Sequence, residues 1–414
     1  MSGGVFTSRW ALAPDHVLES AAAPAGFRLG GCACGVKAPG SSELDLGMVM
    51  SEAEGTVSAA RFCDSGVLAA PVVVTREHCD LHAIRAVVAN SGNANAATGE
   101  PGIAEAVRVQ EAAAAALGLS PREVAVASTG VIGVLLPGER VAAAVPALAQ
   151  ELSAEGLPAF AEAIKTTDAF DKHVTLEVEL PSGTVHLSAA AKGAGMISPR
   201  FATMLCFVQT DAALTPPSAD ALLGAAIARS FDRISVDGQL STNDTVVLMA
   251  SGQSGVHVEP GSEDEARFGE ALDALLLALA LRIVADGEGA RRIARVDVRG
   301  AGEETVARVA RAVANSPLVK AALFGGDANW GRIAQAIGAA LPGTAPLRFD
   351  ISIEGIAVAR EGAGIEHDAA ALSAAVSGDE VLYEIGLPGA GAQAELFFSD
   401  LSYDYVKINA EYTT

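Results

Sequence analysis

The stretch Lys192-Gly193-Ala194-Gly195-Met196-Ile197-Ser198-Pro199-Arg200-Phe201-Ala202-Thr203-Met204-Leu205 decides how the chain is read. It sets a lysine and two glycines ahead of an apolar run, Thr203 to Val208, that has the character of a strand. A hydroxyl at the head of an ordinary strand is inert. A threonine that becomes a new N-terminus is not, because its own α-amine can serve as base for its hydroxyl. A cut between Ala202 and Thr203 would therefore make an N-terminal-nucleophile enzyme. Without the cut, the same residues are a glycine loop leading into a core strand. These fourteen residues alone leave both readings open.

Working outward, the chain has 414 residues, half of them hydrophobic, enough for two or three domains and a large core. A net charge of −22 argues against nucleic acid or an anionic membrane as the main partner. Met1 to Pro14 carries one arginine and no long apolar stretch, so it does not read as a signal peptide. The Ala/Leu-rich run Ala271 to Ala285 contains Asp273 and Arg282 and is shorter than a membrane span. A cytoplasmic protein is expected. Cys32, Cys34, Cys63, Cys79 and Cys206 are odd in number and form no CxxC pair, so neither a disulfide framework nor a metal site is expected.

Strands are predicted at Pro71–Thr75, Ile84–Ala89, Val124–Ala127, Leu205–Gln209 and Thr245–Ala250, and a hairpin at Thr175–Leu180 and Thr184–Ala189 around Pro181-Ser182-Gly183. Helices are predicted at Ile103–Leu117, Glu139–Leu152, Pro217–Ser230 and Ser262–Ala285. The last of these opens on Glu263, Asp264 and Glu265, which suit the positive end of a helix dipole. Further on come a strand at Ile293–Arg299, helices at Glu303–Ala314 and Trp330–Ile337, and strands at Leu347–Ile353, Val381–Ile385, Ala394–Phe398 and Tyr405–Ile408. This order predicts mixed α/β architecture and not a regular doubly wound sheet, with a boundary near Gly287–Arg292.

Polar, glycine-rich clusters recur at strand ends: Asn90-Ser91-Gly92-Asn93-Ala94-Asn95, Ser128-Thr129-Gly130, Thr166-Thr167-Asp168, Ser241-Thr242-Asn243-Asp244 and Asp286-Gly287-Glu288-Gly289. Each alone is a turn, since Gly, Asn and Asp supply the angles turns need. Their repeated position points to a site built from loops. Familiar motifs fail. Ser198 stands where a dinucleotide fingerprint needs its third glycine, and no GxxxxGK[ST] or HExxH is present. Gly252-Gln253-Ser254-Gly255-Val256 misses the GxSxG elbow, and the histidines are scattered singly. A nucleophile whose base is its own amine needs no histidine.

The clusters above resemble, in order, the signatures of the glutamate N-acetyltransferase (ornithine acetyltransferase) family of arginine biosynthesis. So do Ser230-Phe231-Asp232-Arg233, Asn315-Ser316-Pro317-Leu318-Val319-Lys320, Asn329-Trp330-Gly331-Arg332 and Lys407-Ile408-Asn409-Ala410-Glu411-Tyr412. The resemblance runs from about Pro24 to Thr414. It departs at Arg200-Phe201, where a small polar pair is expected, and at Cys206, where alanine is common; the first twenty residues have no clear counterpart.

The resemblance implies an α/β sandwich of the self-processing type, with mixed sheets and a smaller C-terminal α/β module at about 290–414. It implies self-cleavage between Ala202 and Thr203 into an α fragment, 1–202, and a β fragment, 203–414. Thr203 would take acetyl from N-acetyl-L-ornithine and pass it to glutamate in a ping-pong cycle. Thr129 and Gly130 would form the oxyanion hole, and Thr167, Lys192, Thr203, Glu288, Asn409 and Thr414 would bind substrate. No resident cofactor is implied, and acetyl-CoA stays open as a second donor. The fragments would assemble as an α2β2 heterotetramer. The competing readings are an N-terminal-nucleophile aminopeptidase or amidase, with water as acceptor, and an unprocessed binding protein on the same scaffold.

Overall fold

The computed structural model describes residues 7–198, 204–389 and 391–411. Among them the strands form three sheets. The first has the order Val17–Glu19, Lys172–Leu180, Gly183–Lys192, Leu205–Thr210, Thr245–Ala250, Val57–Phe62. Leu205–Thr210 is antiparallel to Gly183–Lys192 and parallel to Thr245–Ala250. The second sheet is Phe27–Cys32, Leu46–Ser51, Ala86–Asn93, Val124–Val131, its last pair parallel.

These two sheets lie face to face. One core joins Phe27, Leu29, Val49, Val87 and Ala125 of the second sheet to Ala60, Ala190, Leu205, Phe207, Val247 and Met249 of the first. The opposite face of the first sheet packs on the helices Pro216–Arg229 and Glu263–Ala285. The opposite face of the second packs on Ala70–His78, Gly99–Leu117 and Gly138–Glu151. The result is four layers, helices–sheet–sheet–helices.

The layering explains the unbroken apolar runs. Val246, Leu248 and Ala250 belong to one core, and Val247 and Met249 to the other. A strand covered on both faces has no polar side and loses its alternation.

The third sheet gathers Ile234–Ser235, Gln393–Ser399, Ile293–Arg299, Glu380–Gly386, Asp350–Ile353, Ile356–Arg360 and Ala363–Gly364. It carries its own core with the helices Glu303–Ala314, Pro317–Gly325 and Trp330–Ala340. Ile234–Ser235 pairs with its edge, so the last third of the chain is knit to the segment leading from Pro216–Arg229. The mixed α/β architecture is that of the sequence reading.

Two elements differ from their predicted type. Pro71–Thr75 lies within the helix Ala70–His78. Its valines have strand propensity, but Pro71 sits in the first turn, where the missing N–H costs nothing, and Val72 and Val74 pack into different cores. Tyr405–Ile408 lies within the helix Tyr403–Glu411. Ser402 Oγ accepts the Tyr405 N–H at 3.1 Å and Asp404 occupies the first turn, a helix start that outweighs the short apolar alternation. The strand predicted from Leu347 begins at Asp350.

Candidate active site

The parallel pair Ala86–Asn93 and Val124–Val131 ends with Ser91 opposite Thr129 and Gly92 opposite Gly130, after which the register shifts. Gly130 has φ of +133°, and a Cβ there would lie 2.3 Å from the Gly92 carbonyl carbon, so only glycine lets the strands close at this point. Beside this end come Lys192, last residue of its strand, the Thr166–Asp168 turn, the residues after the long helix through Glu288, and Asn409 of the C-terminal helix. Thr129, Gly130, Thr166, Thr167, Lys192, Glu288 and Asn409 line one cavity of about 340 Å³.

Lys192 is buried, and its Nζ donates to Thr166 Oγ1 at 2.8 Å and Thr129 Oγ1 at 3.2 Å. It lies 3.7 Å from Asp168 Oδ2. Burial pushes its ammonium below the ordinary lysine range, and Asp168 offsets this only in part. Asp168 Oδ1 also accepts the Gly193 N–H at 2.7 Å, fixing the turn that follows Lys192.

Behind them Lys172, with no side-chain exposure, bridges Asp168 Oδ1 at 2.7 Å and Asp286 Oδ2 at 2.6 Å. Burial opposes charge on both Asp168 and Lys172. The surrounding opposite charges win, holding the Asp168 carboxyl well below the usual carboxylate range and the Lys172 ammonium above the usual lysine range. The site thus rests on an alternating row, Lys192–Asp168–Lys172–Asp286.

Glu288 stands on the other side of the cavity. Thr167 Oγ1 donates to its Oε1 at 2.8 Å and Asn409 Nδ2 to its Oε2 at 2.7 Å. Its backbone N–H donates to Ala194 O at 2.8 Å. A Cβ on Gly195 would meet the Glu288 carboxylate carbon at 2.7 Å, so glycine is what lets the loop after Lys192 pass so close. The next residue, Met196, has φ of +60°, a left-handed conformation rarely taken by such a side chain. Asp237 pins it, accepting the N–H groups of Met196 at 2.7 Å and Ile197 at 3.0 Å. The backbone is thus held under local strain shortly before residue 203.

The sequence-predicted residues Thr129, Gly130, Thr167, Lys192, Glu288 and Asn409 therefore meet in one place. Ala202, Thr203 and Thr414 lie outside the described residues. Sequence reasoning passed over Thr166, which binds Lys192, and Asp168 and Asp286, which it quoted only as turn residues. It also passed over Asp237 and Lys172. Lys172 follows a predicted loop and looks like a surface lysine; no pattern in the sequence marks it as buried.

The ArgJ family profile matches residues 28–414. The chain belongs to the ArgJ family. A relative from Symbiobacterium thermophilum, the arginine biosynthesis bifunctional protein ArgJ, is 44% identical over 394 residues, covering 95% of this chain and 98% of its own length. The protein of the same name from Geobacter sulfurreducens is 43% identical, covering 94% and 99%. A solved structure, ornithine acetyltransferase from Mycobacterium tuberculosis complexed with ornithine, is 39% identical; the match has a TM-score of 0.41 and covers 44% of this chain and 97% of that one. As an ArgJ-family member the protein is an acyltransferase of arginine biosynthesis acting on small molecules. Among the described residues no helix is long and apolar enough to cross a membrane.

Proposed function

We propose that the enzyme cuts itself between Ala202 and Thr203 and then moves acetyl from N-acetyl-L-ornithine to L-glutamate through an ester on Thr203. The observation that carries this reading is the single cavity that gathers Thr129, Gly130, Lys192 and Glu288. Met204, which follows Thr203, directly precedes the strand Leu205–Thr210, whose first residue pairs with Lys192.

In the first half-reaction the α-amine of Thr203 takes the proton of its own hydroxyl as that oxygen attacks the acetyl carbonyl. Free α-amines titrate at about 7.7–8.0, so little tuning is needed for the neutral base. The oxyanion forms against Thr129 and Gly130, where loss of one donor typically costs about 100- to 1,000-fold in rate. Collapse passes the proton to the departing nitrogen, frees ornithine and leaves acetyl on Thr203. The neutral amine of glutamate then attacks the ester, and the proton it loses returns to Thr203 as N-acetylglutamate leaves. Acetyl-CoA would enter at the first half-reaction, its thiol leaving in place of ornithine.

Lys192 meets the substrate α-carboxylate and Glu288, oriented by Thr167 and Asn409, meets the ornithine ammonium. By the family resemblance Thr414 would belong to this set. The reaction is cytoplasmic.

Intact mass under denaturing conditions tests the reading, with Thr203→Ala beside the natural chain. Fragments 1–202 and 203–414 in the natural chain, and one uncut chain in the variant, are expected. Incubation with N-acetylornithine alone should then leave acetyl on the 203–414 fragment until glutamate removes it. One uncut chain in both samples overturns the proposal. An acetyl-enzyme emptied by water without glutamate moves the enzyme to the amidase class.

A further inference from the structure

The turn Ser241–Asp244 makes contacts that the reaction described above does not use. Thr245 stands opposite Leu205 in parallel register, which brings Asp244 beside Met204. Asp244 Oδ1 accepts the Met204 N–H at 3.0 Å, and Thr245 N–H donates to Met204 O at 3.2 Å. Both polar backbone groups of the residue directly after Thr203 are thus held from this turn. Asp244 is completely buried. Asn243, one residue earlier, reaches the opposite way: its Nδ2 donates to Ser128 O at 2.8 Å and Ala94 O at 2.7 Å. Ser128 precedes Thr129 and Gly130. Two consecutive side chains therefore grip the nucleophile's end of one sheet and the oxyanion turn of the other.

We propose that Asp244 is a positioning residue for Thr203: by holding Met204 against the turn that also holds Ser128, it fixes the amine and hydroxyl of Thr203 relative to Thr129 and Gly130. This rests on Thr203 being the nucleophile. The Asp244 carboxyl need not be charged to accept that N–H. Burial drives it well above the ordinary carboxylate range. Among the described residues Lys192 opposes this shift, and the nearby Cys63 thiol is itself pushed up to about 11, chiefly by burial. A carboxylate one residue from the Thr203 amine would favour the ammonium form, which cannot act as base. A neutral acid accepts the Met204 N–H and leaves the amine free.

Asp244→Asn keeps an oxygen for the Met204 N–H and carries no charge; Asp244→Ala removes the contact. Self-cleavage, kcat, KM and the low-pH limb of kcat/KM are measured for both, with Thr203→Ala in parallel. Asp244→Asn should cleave itself and keep kcat, KM and the limb near those of the unsubstituted enzyme. Asp244→Ala should cleave slowly and lose kcat with KM little changed, by up to about 100-fold if the nucleophile shifts by an ångström. An Asp244→Ala enzyme of full kcat overturns the proposal. So does an Asp244→Asn enzyme as slow as the alanine variant, since charge would then be the requirement. If Asp244→Ala does not fold, the asparagine variant decides alone. Activity surviving in Thr203→Ala would sink the nucleophile reading itself, independently of either Asp244 result.

Discussion

Lys172 shows how a residue outside the cavity can set what the cavity does. Its ammonium lies between two buried carboxylates, and through Asp168 it governs where Lys192 and Gly193 stand. A buried ion network is weak evidence for stability as a whole, but removing one member strands the others. Lys172→Met fits the space and leaves Asp168 and Asp286 without their shared cation, so urea unfolding should show a loss of about 3–5 kcal/mol, a large part of an ordinary domain's stability. The pH dependence has a definite sign. The Asp168 carboxyl is held below its unfolded value, so its contribution is complete above the unfolded pKa of about 3.9 and is lost as pH falls towards the folded value. The stability gap between the natural chain and Asp168→Asn should accordingly be wide at neutral pH and shrink in acid. A gap that is constant with pH would mean the carboxylate is not paired as described.

At the scale of elements, the helix Tyr403–Glu411 is the least embedded part of the site. None of its residues is buried, and Tyr403 and Val406 are among the most exposed large hydrophobics. It is held by Arg291 to Asp404 at 3.0 Å, the Tyr403 ring edge-on to Phe324, and the Asn409–Glu288 hydrogen bond. Exposed ion pairs contribute only about 0–1 kcal/mol each, so the helix contributes more to substrate binding than to stability. Ending the chain after Ser402 should leave the melting temperature nearly unchanged and raise KM; a large fall in melting temperature would contradict this. The same helix marks the limit of sequence reading. Val246 to Ala250 and Leu205 to Val208 announce strands because both faces are covered and the runs are unbroken. Tyr405 to Ile408 misleads, because four residues of alternation do not reveal the Ser402 cap before them. Phe27–Cys32 and Leu46–Ser51 went unread because their glycines look like turns. The candidate site was legible through its clusters taken together, whereas its buried support was not: a lysine such as Lys172 declares its burial only through partners distant in sequence.

The whole molecule gives the proposed cut an unusual consequence. Leu205–Thr210 and Thr245–Ala250 belong to the proposed 203–414 fragment, yet they form the middle of a sheet whose flanking strands, Gly183–Lys192 and Val57–Phe62, belong to 1–202. Cutting one peptide bond removes none of the hydrogen bonds along these two seams. One core spans both fragments through Ala60, Ala190, Phe207 and Val247, and another through Leu187, Val208 and Leu275. Interfaces built like a domain core divided in two are obligate. The fragments should therefore stay together through gel filtration at low concentration and high salt, separating only where the chain unfolds. The family resemblance implies two fragments of each kind, which a light-scattering mass tests; a single pair would contradict that assembly while leaving the shared sheet intact. Fragments that separate in native buffer would contradict the shared sheet. Because neither piece can complete the first sheet alone, fragments 1–202 and 203–414 expressed separately should each fail to fold, and should regain transferase activity only when refolded together.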